Sequence, residues 1–165
     1  MNTNYKNISW SDVDECCQNI KQKIESDKHV GEIEAIVGLS RGGLVPATIL
    51  ANWLNVRKVY VHGYHSYDET TKTRNKHGVM YQDVVYDLMK SVAGHNILIV
   101  DDLCDKGVTM KGLVNRLYKK FHEHAINIRT ATLYCKEGSE FVPDYISAPC
   151  TDETWLCFPW EPREE

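Results

Sequence analysis

No apolar stretch of this sequence approaches the ~20 residues a membrane-spanning helix needs. The opening residues, MNTNYKNISW, hold no apolar core of the kind a secretory signal peptide carries. Positive charge is also in short supply. Against 23 Asp and Glu stand 19 Lys and Arg, a formal charge of −4, which gives no electrostatic reason to expect a nucleic-acid partner. The six cysteines (Cys16, Cys17, Cys104, Cys135, Cys150 and Cys157) include no Cys-x-x-Cys pair and read as reduced thiols in a cytoplasmic protein. No internal repeat or low-complexity linker divides the chain. At 165 residues, 42% hydrophobic and 25% charged, the sequence is read as one globular domain, 1–165.

What the chain does have centres on NILIVDDLCDKGVTMKGLVNRL, residues 96–117. Ile97 to Val100 form a continuous apolar run, as in a parallel strand buried on both faces, and the run stops at Asp101 and Asp102. A turn follows over Asp105, Lys106, Gly107, Val108 and Thr109. Met110, Leu113, Val114, Leu117, Tyr118 and Phe121 then recur at helical spacing and predict one apolar face. The turn is neither a Walker loop nor a GxGxxG fingerprint.

The first turn of a helix presents unpaired N–H groups and partial positive charge, so an anion is stabilised there. Gly107 permits the tight turn, Thr109 offers a hydroxyl and Lys106 adds a cation. Two carboxylates beside an anion are unfavourable unless the ligand also brings hydroxyl donors or a divalent cation. A sugar phosphate with Mg²⁺ meets both demands.

A second site of this kind lies upstream. Ile33 to Leu39 reads as a core strand ending in Ser40-Arg41-Gly42-Gly43, with a helix over 44–54 that tolerates Pro46 in its first turn. Two glycines let backbone amides approach a ligand closely, and Arg41 can take a phosphate in bidentate fashion. Two anion sites in one small α/β chain favour a ligand with two phosphate groups. Ser11 is expected to cap a first helix whose stripe is Val13, Cys17, Ile20 and Ile24. Residues 57–64 read as a second strand and 126–134 as a later core strand. Residues 65–79 show neither period and read as a long loop. In the C-terminal piece Trp155 and Trp160 are costly to leave in water, so they either pack on the domain or wall a pocket.

ILIVDDLCDKGVT resembles the phosphoribosyl-pyrophosphate (PRPP) motif of the type I phosphoribosyltransferases, matching at Asp101, Asp102, Asp105, Gly107 and Thr109. It departs at Lys106, where the family has Thr or Ser, and at Val108, where Gly or Lys is usual. Ser-Arg-Gly-Gly-Leu-Val-Pro resembles the diphosphate loop of the 6-oxopurine members, and the likeness runs from about Ile8 to Glu161. The resemblance implies a twisted, mainly parallel sheet flanked by helices, with a hood from about 140–165 and part of the N-terminus. It also implies a flexible catalytic loop over about 65–82 that begins with Ser66 and Tyr67.

The implied activity is purine salvage, the transfer of ribose 5-phosphate from PRPP to N9 of xanthine, guanine or hypoxanthine. In it Ser40, Arg41, Gly42, Ser66, Tyr67, Asp101, Asp102, Asp105, Lys106, Gly107, Val108 and Thr109 hold PRPP. Asp105 is the catalytic residue, acting as general base or proton carrier at the purine N7. Lys136 binds the purine O6, Trp155 stacks on the base, and the backbone of Leu156 reads its C2 edge. Asp101, Asp102 and Glu161 hold Mg²⁺. Relatives of this kind are homodimers or homotetramers. A PRPP-sensing regulator and a phosphoribosyltransferase for another base remain as alternatives. The first needs a basic face that the charge balance does not supply.

Overall fold

The computed structural model describes residues 4–68, 73–82, 96–122 and 125–161, with side chains described outside 64–95. A six-stranded sheet runs in the order β4-β3-β2-β5-β6-β7. Its strands are β2 (Ala35–Ser40), β3 (Lys58–Asp68), β4 (Thr73–Gln82), β5 (Asn96–Cys104), β6 (Asn127–Lys136) and β7 (Tyr145–Cys150). All neighbours pair in parallel except β4, which returns antiparallel along β3 at the edge. The expected α/β, mainly parallel architecture is what forms.

The parallel strands are continuous apolar runs because both faces are covered. On one face lie α1 (Trp10–Ser26) and α2 (Leu44–Trp53), whose Val13, Cys17, Ile20, Ile24, Ala47 and Leu50 are buried in one cluster with Ile36, Leu98 and Leu133. On the other face lies α3 (Val108–Lys120), whose Met110, Leu113 and Leu117 pack with Val37, Ile97 and Ile99. Tyr118, expected on that apolar face, is instead exposed, and Val114 is only partly covered. A second sheet of two strands pairs β1 (Asn4–Asn7) in parallel with β8 (Thr154–Cys157). Among the described residues no helix is long and apolar enough to cross a membrane. The six cysteines are all free thiols.

The structure corrects several local expectations. α1 is capped by Ser9, not Ser11. The Ser9 hydroxyl accepts from the Asp12 N–H at 3.1 Å, and the Asp12 carboxylate accepts from the Ser9 N–H at 2.7 Å, a reciprocal capping box. β5 does not stop at the acids but runs on to Cys104, because Asp101, Leu103 and Cys104 still pair with Thr132, Tyr134 and Cys135 of β6. The backbone over 65–68 and 73–82 is a strand pair rather than a loop. Register shifts between Gly63 and Tyr64 and between His65 and Tyr67 break the alternation by which a strand is read from sequence. Of the stretch assigned to the hood, β7 extends the main sheet beside β6, and β8 pairs with the N-terminal strand.

Candidate active site

β2 is flanked by β3 on one side and β5 on the other, so the chain leaves its first core strand in one direction and returns on the opposite side. At such a switch point the loops beyond the carboxyl ends of two neighbouring strands part and leave a crevice. Ser40–Gly43 follows β2 there, and Asp101–Gly107 closes β5.

These two segments are in contact. A Cβ on Gly43 would lie 2.6 Å from the Val100 carbonyl oxygen, 2.7 Å from that of Leu39 and 2.8 Å from Asp101 Cα. A Cβ on Gly42 would overlap the Asp102 carboxylate. Only glycine allows this approach, and the result is that Arg41 and the acid pair belong to one site. The Ser40–Arg41 peptide is cis. Gly43 is the N-cap of α2, and no acid stands in that helix's first turn.

The acids are oriented by backbone. Asp101 Oδ1 accepts from the Asp102 N–H at 3.0 Å, and Asp102 Oδ1 accepts from the Leu103 N–H at 2.8 Å. Burial pushes the Asp101 carboxyl well above the ordinary carboxylate range, and the neighbouring Asp102 charge adds to the shift. Burial likewise raises Asp102; hydrogen bonds from Asp101 and Leu103 oppose the rise, and the charge of Glu161 adds to it. A pair held in this state favours a ligand that donates hydroxyl protons or carries a cation. Among the described residues no group of three or more His, Cys, Asp or Glu forms a metal cluster by itself. Two adjacent carboxylates suit a divalent ion that completes its shell with ligand oxygens, the manner in which Mg²⁺ is commonly held.

The turn after β5 is built for an anion. Gly107 takes φ 74°, the left-handed region, and caps α3 without a side-chain hydrogen bond. A Cβ there would come within 2.5 Å of Phe141 Cβ and 3.0 Å of Ser139 Oγ, so the turn rests on the segment after β6. No acid occupies the first turn of α3, while its last turn carries Lys119 and Lys120, and the positive end of the helix faces the turn. Lys106 is exposed, Thr109 half-buried, and Val108 59% exposed despite being apolar. Cys104, just before the turn, is buried and its thiol is pushed up to about 12, which keeps it neutral.

Lys136 ends β6, and its ammonium stands 3.6 Å from Asp105 Oδ1. It also donates to the Asp152 carbonyl oxygen at 3.1 Å. Trp155 is 56% exposed on β8, with Thr154 and Leu156 turned inward on either side, so it is not a core residue. Trp160 does pack on the domain, stacked on Phe158 at 4.8 Å and 5.9 Å from Trp10. Glu161 receives the Phe158 N–H at 3.0 Å. Its charge contributes to the rise of Asp102, but Asp101, Asp102 and Glu161 do not come together as a three-residue metal group among the described residues. Ser66 and Tyr67 fall on β3, where Tyr67 pairs with Arg74; their side chains lie outside the described residues. Asp152 and Ser139, which tie the turns together, escaped the sequence reading, because an acid in a polar turn carries no local mark of its distant partner.

The chain is similar to known proteins over nearly its whole length. The phosphoribosyl transferase domain family matches residues 6–164. A xanthine-guanine phosphoribosyltransferase of Idiomarina loihiensis is 33% identical over 156 residues, covering 93% of this chain and 85% of its own. One from Cereibacter sphaeroides is 31% identical over 155 residues, covering 93% and 85% respectively. The crystal structure of a purine phosphoribosyltransferase from Pyrococcus horikoshii superposes with a TM-score of 0.73 at 25% identity, covering 98% of this chain and 96% of that one. The chain belongs to the phosphoribosyl transferase domain family.

Proposed function

We propose that this protein is a purine salvage enzyme that transfers ribose 5-phosphate from PRPP to N9 of a 6-oxopurine (xanthine, guanine or hypoxanthine) with release of diphosphate. The observation that carries the reading is the contact of the Gly42–Gly43 turn with Asp101 and Asp102. It joins an arginine-bearing anion loop to a carboxylate pair at the point where a sugar diphosphate needs both. The relatives named as xanthine-guanine phosphoribosyltransferases support the same class.

The residues divide the work by chemistry. The turn Asp105–Thr109 takes the 5′-phosphate on its amides, with Lys106 and the Thr109 hydroxyl beside it. Asp101 and Asp102 accept from the ribose hydroxyls, which relieves the mutual repulsion of the pair. Ser40, Arg41 and Gly42 hold the diphosphate, and Arg41 meets charge as it develops on that leaving group. Lys136 donates to the purine O6, Trp155 offers its exposed face to the ring, and the Leu156 backbone lies at the C2 edge. Asp105 holds or moves the proton at the purine N7. Mg²⁺, held by Asp101, Asp102 and Glu161 together with ligand oxygens, supplies charge neutralisation at the diphosphate when bound. Ser66 and Tyr67 begin the segment that closes over PRPP and shields the reacting sugar from water.

The same reading places the enzyme in the cytoplasm, where six free thiols are stable, and as a homodimer or homotetramer. Light scattering on the purified protein measures the second point. The function itself is tested with Mg²⁺, PRPP and each of xanthine, guanine, hypoxanthine, adenine and uracil separately. Nucleotide formed from a 6-oxopurine supports it. PRPP binding with no turnover of any base replaces it with a PRPP-sensing regulator, and turnover of adenine or uracil alone replaces it with another base specificity.

A further inference from the structure

Lys136 is the side chain on which the choice of a 6-oxopurine rests in the reading above, yet a lysine at a strand end is ordinarily free to swing on its flexible stem. Here it is held. Its ammonium donates to the Asp152 carbonyl oxygen at 3.1 Å while facing Asp105 at 3.6 Å. Asp152 reaches back to the same turn: its Oδ1 accepts from the Gly138 N–H at 3.0 Å, and a Cβ on Gly138 would overlap its carboxylate. Two backbone bonds close the structure around this contact. Glu137 N–H donates to the Cys150 carbonyl oxygen at 3.0 Å, and Ser139 N–H donates to that of Lys136 at 3.1 Å. Asp152 thus grips the lysine by its main-chain carbonyl and the lysine's turn by its side chain.

We propose that Asp152 is a positioning residue for purine binding, setting the place of the Lys136 ammonium by clamping the Gly138 turn. This inference rests on the purine reading. Asp152 itself is exposed and fills no core position, so its loss leaves both hydrophobic clusters untouched.

The test is a kinetic cycle on the full chain with Mg²⁺, PRPP and whichever 6-oxopurine the unmodified protein turns over. Asp152→Ala raises the purine KM about tenfold, the order expected for losing a charge-assisted hydrogen bond, and leaves the PRPP KM in place. Asp152→Asn keeps an oxygen acceptor for the Gly138 N–H and restores the purine KM to within about twofold of the unmodified value. In a Lys136→Ala background, Asp152→Ala adds nothing further, because the group it positions is gone. A purine KM unmoved by Asp152→Ala, a rise shared equally with PRPP, or a full extra loss in the Lys136→Ala background overturns the inference alone. Unmodified protein that turns over no 6-oxopurine overturns the purine reading, and this inference falls with it.

Discussion

Lys136 Nζ stands 3.6 Å from Asp105 Oδ1, joining the ends of the neighbouring parallel strands β5 and β6. In the proposed function the two groups serve one substrate: Lys136 as donor to the purine O6, and Asp105 as the carboxylate facing the proton at N7. A 6-oxopurine presents O6 and N7 on one edge of its ring, the spacing such a pair can serve together. The pair also gives Asp105 a cationic neighbour, so removing either partner changes the setting of the other.

Lys136→Ala should raise the 6-oxopurine KM by roughly 10- to 100-fold, the worth of a hydrogen bond from a charged donor. PRPP binding should be spared, because the Gly42–Asp102 contact and the Gly107 turn lie on other strands. Steady-state kinetics with each substrate varied in turn measures the split. An equal rise in both KM values would put Lys136 in a general structural role instead.

Asp105→Asn should lower kcat by roughly 10²–10⁴ if the carboxylate moves a proton, with PRPP still bound. Isothermal titration with PRPP provides the control. Unchanged kcat in a protein that still binds PRPP would remove Asp105 from the chemistry.

Chelation separates catalysis from folding. The described residues contain no metal cluster made of protein side chains alone. If Mg²⁺ is held jointly by Asp101, Asp102 and ligand oxygens as proposed, EDTA should abolish nucleotide formation and leave the thermal midpoint of the free protein unchanged, with activity returning on addition of Mg²⁺. A midpoint that falls with EDTA would reveal a structural metal.

Ser9→Ala should destabilise the protein by about 0.5–2 kcal/mol, and Ser11→Ala by far less. Both serines look alike in the sequence, yet only Ser9 stands at the residue whose hydroxyl reaches the Asp12 N–H. Denaturant unfolding of the two variants distinguishes them.

That pair of serines shows where sequence stops informing structure. The apolar runs of β2 and β5, the stripes of α1 and α3, and the two glycine-bearing anion turns could be read directly, because each is a local pattern with a local cause. Ser11, the expected cap, and Ser9 each have an acid three residues on, Asp14 and Asp12, so the local pattern does not separate them. β5 continues past its acids because β6 pairs with it, and pairing is not local. The β3–β4 pair hid behind its own register shifts. Asp152, in the turn after β7, meets Lys136 and Gly138 at the end of β6, 16 and 14 residues back, so nothing near it in the chain announces the contact.

The adjacent glycines Gly42 and Gly43 should fail in different ways when each is changed to Ala. At Gly43 the new methyl meets main chain on three sides, the carbonyl oxygens of Val100 and Leu39 and the Asp101 Cα, all within 2.8 Å. Backbone of two core strands cannot step aside, so Gly43→Ala should cost about 1–3 kcal/mol of stability or more. At Gly42 the obstacle is the Asp102 carboxylate, a side chain that can rotate away from the methyl. The fold then survives, but the carboxylate leaves the position in which it faces Asp101 and the ligand. Gly42→Ala should therefore keep a thermal midpoint near that of the unmodified protein while raising the PRPP KM about tenfold or more, as overpacking of this size displaces a neighbour. Thermal unfolding and PRPP titration of the two variants, run side by side, measure both effects. A Gly42→Ala protein that binds PRPP normally would mean that the Asp102 carboxylate does not need its place against the Arg41 loop, and the joined site argued above would lose its main support.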